Sequence, residues 1–295
     1  MGEKEMKIGY LTNMLTYFGL SDLKSLADWG AENGFTDLEV GPTVPLNEED
    51  VALIKEEGRI DLSALIFCRN FLTDNAEMAQ EFKKQIIHRI ELAGRYHIPK
   101  VLCSTGVAPD SFDGARYDPR KSLDRSVEFL KVMVAKAEDL GVTLCVENCP
   151  LMGNIGFAPF MWDELFSRID SPNFKLAFDP SHFVWQMMDP YQAVRDYGSR
   201  IAHVHAKDTE ILWDVLGRTG ILYCPKGGED SGEGWWRYRV PGLGQIDWKK
   251  LIDRLREAGF DGTISIEHED PVWSGSQEKV KEGLIRGLHH IQSCM

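Results

Sequence analysis

Eight short β-rich runs alternate with amphipathic helical stretches along nearly the whole of this 295-residue chain. The runs read as strands cover residues 7–13, 36–41, 61–68, 99–106, 142–150, 174–182, 201–208 and 262–270. Between them lie patterns such as NAEMAQEFKKQIIHRIELAGRYH and RKSLDRSVEFLKVMVAKAEDLG, whose apolar residues recur every three or four positions. Several of these helical stretches stop at a glycine, as at Gly34, Gly58, Gly141 and Gly259. A strand followed each time by a helix forces parallel strands, and eight such units close on themselves as a (β/α)8 barrel. A doubly wound sheet would need a glycine-rich phosphate loop after its first strand, and TNMLTYFGLSD at 12–22 has no such pattern. The expectation is therefore an α/β chain, residues 1–295 forming one barrel domain.

One interval breaks the rhythm. The seventh strand ends near 208 and the next helix begins near Asp247, leaving an insert of about 209–246 where such a connection usually has about 2–6 residues. It contains Trp213, KGGEDSGEG and WWRYRVPGLG. Its aromatic and arginine content argues against disorder, so a lid after strand seven is expected.

The formal net charge is −13 and no run is rich in lysine or arginine. Nucleic acids and anionic membranes are therefore not expected partners. No apolar segment approaches the roughly 20 residues that cross a bilayer, and the charged start MGEKEMKIGYL does not read as a secretory signal. Cysteines 68, 103, 145, 149, 224 and 294 form no CxxC pair, so reduced thiols in a cytoplasmic protein are expected.

Function in a barrel of this kind sits at the C-terminal strand ends. The last four strands place metal-type ligands there: Glu147 in CVENCP, Asp179 and His182 in AFDPSH, His203 and His205 in IAHVHAKD, Glu267 and Glu269 in ISIEHED. Parity supports convergence, because strand side chains alternate faces. Thr263, Ser265, Glu267 and Glu269 share one face, opposite Ile264 and Ile266; Cys145, Glu147 and Cys149 lie opposite Leu144 and Val146. The apolar faces should meet the helices and the small, polar faces the barrel interior.

Clustered acids repel one another unless something positive sits among them, and Lys207 is the main inward cation. A divalent metal held by Glu147, Asp179, His205 and Glu267 is expected. Three carboxylates and one imidazole suit Mn²⁺ first, and admit Mg²⁺, Co²⁺, Zn²⁺ or Fe²⁺. Of the two strand-seven histidines, His205 lies nearer the strand end, and His203 reads as a supporting, hydrogen-bonded group. Cys145 and Cys149 read as inert packing, and His88, His97, His289 and His290 as solvent-facing helical residues.

The pieces VEN at 146–148, FDPSH at 178–182, HVHAKD at 203–208 and SIEHED at 265–270 together resemble the xylose-isomerase-like TIM-barrel superfamily. That superfamily includes sugar isomerases, ketose 3-epimerases, inosose dehydratases and apurinic-site endonucleases. The resemblance covers nearly the whole chain and is specific for the superfamily rather than for one reaction. It implies that Glu147, Asp179, His205 and Glu267 hold the metal and that His182 contacts substrate. It also implies, through the epimerases, that Glu147 and Glu267 form the proton-transfer pair.

A metal with open positions can chelate two adjacent oxygens of a sugar and polarise its carbonyl, acidifying the neighbouring C–H towards an enediolate. Glu147 and Glu267 could then remove and return protons. His182 and Lys207 would bind substrate oxygens. Trp185, Trp273 and the Trp235–Trp236 pair could cover a sugar's C–H surface, and Arg237 and Arg239 could clamp a carboxylate or phosphate from the lid. Ketose epimerases place an arginine shortly after the strand-seven histidine, whereas HAKDTEILWDVLGR offers Lys207 and no arginine before Arg218. The endonucleases add histidines on strands two to four that are lacking here. The sequence therefore points to a metal-dependent sugar isomerase or epimerase, with a lyase acting on a 3-keto-glycoside or keto-inositol as the alternative. A non-catalytic sugar-binding subunit is a third reading. Small sugars are the expected ligands; a second copy of the chain or a small accessory subunit remains open as a partner.

Overall fold

The computed structural model describes residues 6–113, 116–150, 153–222 and 234–295. Eight parallel strands close into a barrel: β1 (Lys7–Leu11), β2 (Asp37–Val40), β3 (Asp61–Phe67), β4 (Lys100–Cys103), β5 (Thr143–Glu147), β6 (Phe174–Phe178), β7 (Ile201–Ala206) and β8 (Thr263–Ile266). Each pairs with its sequence neighbour, and β1 pairs with β8 to complete the circle, with Gly9 opposite Ser265. The expected barrel is thus observed, with strands that are generally shorter than the sequence pattern suggests.

Eight helices form the outer ring: α1 (Leu23–Glu32), α2 (Glu48–Glu57), α3 (Ala76–Arg95), α4 (Leu123–Asp139), α5 (Pro159–Arg168), α6 (Pro190–Tyr197), α7 (Trp248–Glu257) and α8 (Gln277–Cys294). Six of their eight starts are capped by side chains that satisfy otherwise orphaned backbone N–H groups, each worth about 1 kcal/mol. Asp22 accepts from Ser25 N, Asn75 from Met78 N, Asp247 from Lys250 N and Ser276 from Lys279 N. Gly34, Gly58, Gly141 and Gly259 all have positive φ, as their reading as helix stops requires. Among the described residues no helix is long and apolar enough to cross a membrane.

Parity divides the buried residues into two cores. Leu144, Val146, Ile264 and Ile266 join the large apolar layer between strands and helices. A small cluster containing Leu11, Ala64, Ile66, Cys68, Leu102, Cys145 and Ala177 packs separately. Its strand residues follow the inward parity of Cys145 and Glu147, so this cluster fills the barrel beneath the functional end. Burial raises the pKa of the Cys145 thiol to about 12, consistent with packing rather than reactivity.

α8 lies unusually close to the end of β8. A Cβ added at Gly283 would meet His268 Nε2 at 2.3 Å, and one added at Gly287 would meet Ile266 at 2.9 Å. The two glycines, one turn apart on one face, permit this approach. Gly283→Ala is therefore expected to cost roughly 1–3 kcal/mol through overpacking against the buried His268 ring, despite alanine's better helix propensity. A shifted urea midpoint measures this; an unchanged midpoint would show that the helix can simply move away.

The described part of the insert is built of regular elements rather than a long loop. β7 stops at Ala206, and Asp208–Ile211 leaves the barrel to pair antiparallel with Trp236–Arg239, setting Thr209 opposite Tyr238. A short helix, Trp213–Thr219, follows the first strand of this hairpin. Residues 223–233, which hold most of KGGEDSGEG, lie outside the described residues.

Candidate metal centre and active site

At the C-terminal end of the barrel, Glu147, Asp179, His205 and Glu267 each offer one ligand atom, and these atoms all lie within 4.8 Å of one another. All four residues are buried. The backbone fixes two of them: Asn148 Nδ2 donates to Asp179 O at 2.8 Å, and Asp179 N donates to Asn148 Oδ1 at 2.7 Å, locking the ends of β5 and β6 together. Asp179 Oδ1 also accepts from Ser181 N at 2.8 Å, which leaves Oδ2 turned into the cluster.

His205 is oriented from across the barrel. Its Nε2 lies 3.0 Å from Glu39 Oε1, while His203 Nε2 lies 2.9 Å from Glu39 Oε2. Nδ1 of His205 is then left facing Glu267 Oε2 at 3.1 Å and Glu147 Oε1 at 3.4 Å. A histidine whose second nitrogen is tied to a carboxylate is the usual arrangement behind a metal-bound imidazole. Burial opposes the charge on Glu39, but His205 and His203 hold its carboxyl well below the usual range. His203 is buried and hydrogen-bonded to the carboxylate that His205 also contacts.

Lys207 meets three acids: Glu269 at 2.8 Å, Glu267 at 2.9 Å and Asp179 at 3.1 Å. Burial works against its ammonium, and Asp179, Glu267 and Glu269 overcome that penalty, holding its pKa well above the ordinary lysine value. His182 sits beside the cluster, with Nε2 3.2 Å from Asp179 Oδ2 and 3.9 Å from Glu147 Oε1. Burial disfavours its charge, but Asp179 outweighs it and lifts its pKa to about 10. Cys68 donates its S–H to Glu147 Oε2 at 3.3 Å.

The donor set fits a divalent cation. Asp179, Glu267 and Glu269 converge on the one ammonium, while Glu147 faces His205 beside them. Like charges about 4 Å apart repel by roughly 4 kcal/mol at an effective dielectric of 20. Asp179 Oδ2, His182 Nε2 and His205 Nδ1 are buried and make no well-formed hydrogen bond, though Lys207 lies within ion-pair range of Asp179 Oδ2. Unpaired buried polar atoms cost free energy, and a cation among the four ligand atoms would satisfy two of these three. Glu39, His203 and His205 also form a group of suitable atoms, but the short imidazole–carboxylate contacts already account for them.

The insert's aromatic residues separate by role. Trp236 stacks on Trp185, with ring centroids 4.6 Å apart and planes 1° from parallel. Tyr238 reaches down to His182, its Oη 3.0 Å from Nδ1, and Lys207 Nζ lies 4.4 Å from the centre of its ring. Trp235 is buried, and Trp273 packs under Arg286 instead. Arg237 pairs with Glu210 at 2.7 Å; Arg239 pairs with Glu210 and, at 2.8 Å, with Asp270. Those guanidinium groups brace the hairpin rather than stand free.

Sequence reasoning did not pick out Glu39, Cys68 or Tyr238. Glu39 carried one signal, an acid within the otherwise apolar LEV of β2. Neither Cys68 nor Tyr238 had a signal that set it apart from ordinary packing.

Comparison with known proteins places the chain in a class. The family model described as xylose isomerase-like TIM barrel matches residues 27–293, so the protein belongs to that family. YfiH of Bacillus subtilis, whose function is uncharacterised, is 27% identical over 299 residues, covering 90% of this chain and 93% of that protein. Inosose dehydratase of Lacticaseibacillus casei is 32% identical over 137 residues, covering 45% of this chain and 44% of the dehydratase, so the aligned region spans less than half of that relative. Among solved structures, the IolI protein with a bound zinc atom superposes with TM-score 0.75 at 19% identity, covering 98% of this chain and 99% of that one. A D-tagatose 3-epimerase-like protein gives 0.69 at 23% identity, with 98% and 99% covered. At such identities these structures speak for the fold.

Proposed function

We propose that the protein is a divalent-metal-dependent isomerase or epimerase of small sugars that removes and returns a proton on the carbon beside a carbonyl. Glu147, Asp179, His205 and Glu267 would hold the cation, Mn²⁺ in the first instance. When bound, it would supply Lewis acidity towards the carbonyl and charge stabilisation as the C–H bond breaks. The observation that carries this reading is the convergence of Glu147 from β5 and Glu267 from just past β8 on His205 Nδ1, at 3.4 and 3.1 Å. Two carboxylates entering from separate strands can address different sides of a substrate carbon: one takes the proton, and the other gives one back. Lys207 and His182 donate hydrogen bonds to substrate oxygens, and Trp185 with Trp236 offers a flat apolar face at the rim. With Arg237 and Arg239 engaged by Glu210 and Asp270, an uncharged sugar suits the site better than a phosphorylated one.

The test is to incubate the protein with Mn²⁺ and a panel of ketoses in D₂O and to follow deuterium incorporation by NMR. One C–H of a productive ketose should exchange. A second reading, a lyase on a keto-inositol or 3-keto-glycoside, is favoured by the similarity to inosose dehydratase. It shares the first proton abstraction, and formation of an enone or release of an aglycone selects it. Bound metal with no exchange on any substrate would leave only a sugar-binding role.

Metal binding can be checked without substrate. A cation at about 100 times its dissociation constant should raise the unfolding free energy by about 2.7 kcal/mol, and a chelator should reverse the gain. A thermal melt insensitive to Mn²⁺, Zn²⁺ and EDTA alike would overturn the assignment of the centre.

A further inference from the structure

We propose that Tyr238 is a positioning residue: its hydroxyl holds the ring of His182 through Nδ1, so that Nε2 is presented to the carboxylate cluster and to a substrate oxygen beside it. The inference rests on the reading of that cluster as the reaction centre.

Alternation along Trp236–Arg239 sends Trp236 and Tyr238 one way and Arg237 and Arg239 the other. The arginines engage Glu210 and Asp270, which anchors the strand. Tyr238 is thereby driven inward, to 8% exposure. Its ring is held on three sides: Lys207 Nζ lies 4.4 Å from its centre, and the Trp236 and His182 rings lie 4.9 and 5.6 Å away at steep angles. A ring confined in this way places its hydroxyl with little freedom, 3.0 Å from Nδ1.

The opposite edge of His182 faces two acids, with the Cys149 thiol close by. Nε2 lies 3.2 Å from Asp179 Oδ2 and 3.9 Å from Glu147 Oε1, so it must carry a proton. In either charge state Nε2 keeps its proton: a charged ring donates from Nδ1 to the Tyr238 oxygen, and a neutral ring accepts the hydroxyl's proton there. The barrel supplies the histidine, and the insert determines which nitrogen acts.

The test reads the ring itself. Histidine-labelled protein gives ¹⁵N ring resonances for His182, assigned by their loss in His182→Gln. Tyr238→Phe keeps the aromatic ring and removes the hydroxyl; it should shift the Nδ1 resonance. Trp236→Phe keeps an aromatic wall against Tyr238 and leaves the hydroxyl, so it should move Nδ1 much less than Tyr238→Phe does. If Tyr238→Phe does not fold, 3-fluorotyrosine at position 238, which makes the hydroxyl more acidic, should shift the same resonance. An Nδ1 signal unmoved by either change at Tyr238, or moved equally by Trp236→Phe, overturns the proposal. In parallel, Zn²⁺ affinity measured against a chromophoric chelator should be little changed in Tyr238→Phe, because His182 is outside the four-ligand group; a loss of about 10-fold, the effect of removing a ligand's own outer-shell partner, would count against the inference. Failure of the unmodified protein to take up zinc would remove the metal reading, while the ring spectra would still decide the role of Tyr238.

Discussion

Glu267→Gln is expected to reduce metal-dependent C–H exchange by about 10²–10⁴-fold, the range for loss of a positioned general acid–base group. Gln fills the same space but cannot accept a proton, and it removes a charge that lies 2.9 Å from Lys207 and 3.1 Å from His205. Glu269→Gln provides the contrast. Its carboxylate also touches Lys207, at 2.8 Å, but its side chain is 41% exposed and it is outside the four-ligand group. Its loss should cost less than about 10-fold, since exposed ion pairs contribute little. Deuterium incorporation followed by NMR reads both variants, with metal uptake measured separately. Retention of more than a tenth of the exchange rate by Glu267→Gln would remove Glu267 from the proton-transfer pair.

Asp208→Ala is expected to lower the unfolding free energy by about 3–5 kcal/mol. Asp208 is fully buried and no cation pairs with it among the described residues. Its carboxylate accepts from Thr209 N at 2.8 Å, Gly242 N and Ile246 N at 3.1 Å, and Trp248 Nε1 at 3.0 Å. Removing one acceptor orphans several donors at once, each worth about 1–3 kcal/mol when left unsatisfied, less whatever relaxation recovers. The same contacts bind the hairpin, the segment leading to α7 and α7 itself to the end of β7. The melting temperature should therefore fall by roughly ten degrees. A loss below about 1 kcal/mol would show that water replaces the carboxylate and that the residue is not the tether of the insert.

The two predictions concern residues of very different legibility. Glu267 could be placed from the alternation in SIEHED, because facing inward follows from strand parity once the barrel is recognised. Asp208 was visible as part of HVHAKD, yet nothing local shows that it serves backbone groups more than thirty residues further along the chain. Glu39 illustrates the same limit across a longer separation. Its partners, His203 and His205, lie 164 and 166 residues away, and only closure of β1 against β8 brings β2 round to face β7.

The insert shows where periodicity ceases to inform. WWRYR alternates in any extended conformation, but its register opposite DTEI decides that Tyr238 points at His182 and that both arginines are used as braces. The same applies to the tryptophans: Trp185 and Trp236 meet, while Trp273 packs on the outer helix.

Local pattern determined the barrel, the inward parity of the late strands and the identity of the acids and imidazole at their ends, because those properties depend on neighbours two to four residues apart. The cross-barrel carboxylate, the course of the insert and the tyrosine above the histidine were decided by tertiary structure. Each of those depends on contacts between segments far apart in sequence, which come within hydrogen-bonding distance only when the sheet has closed.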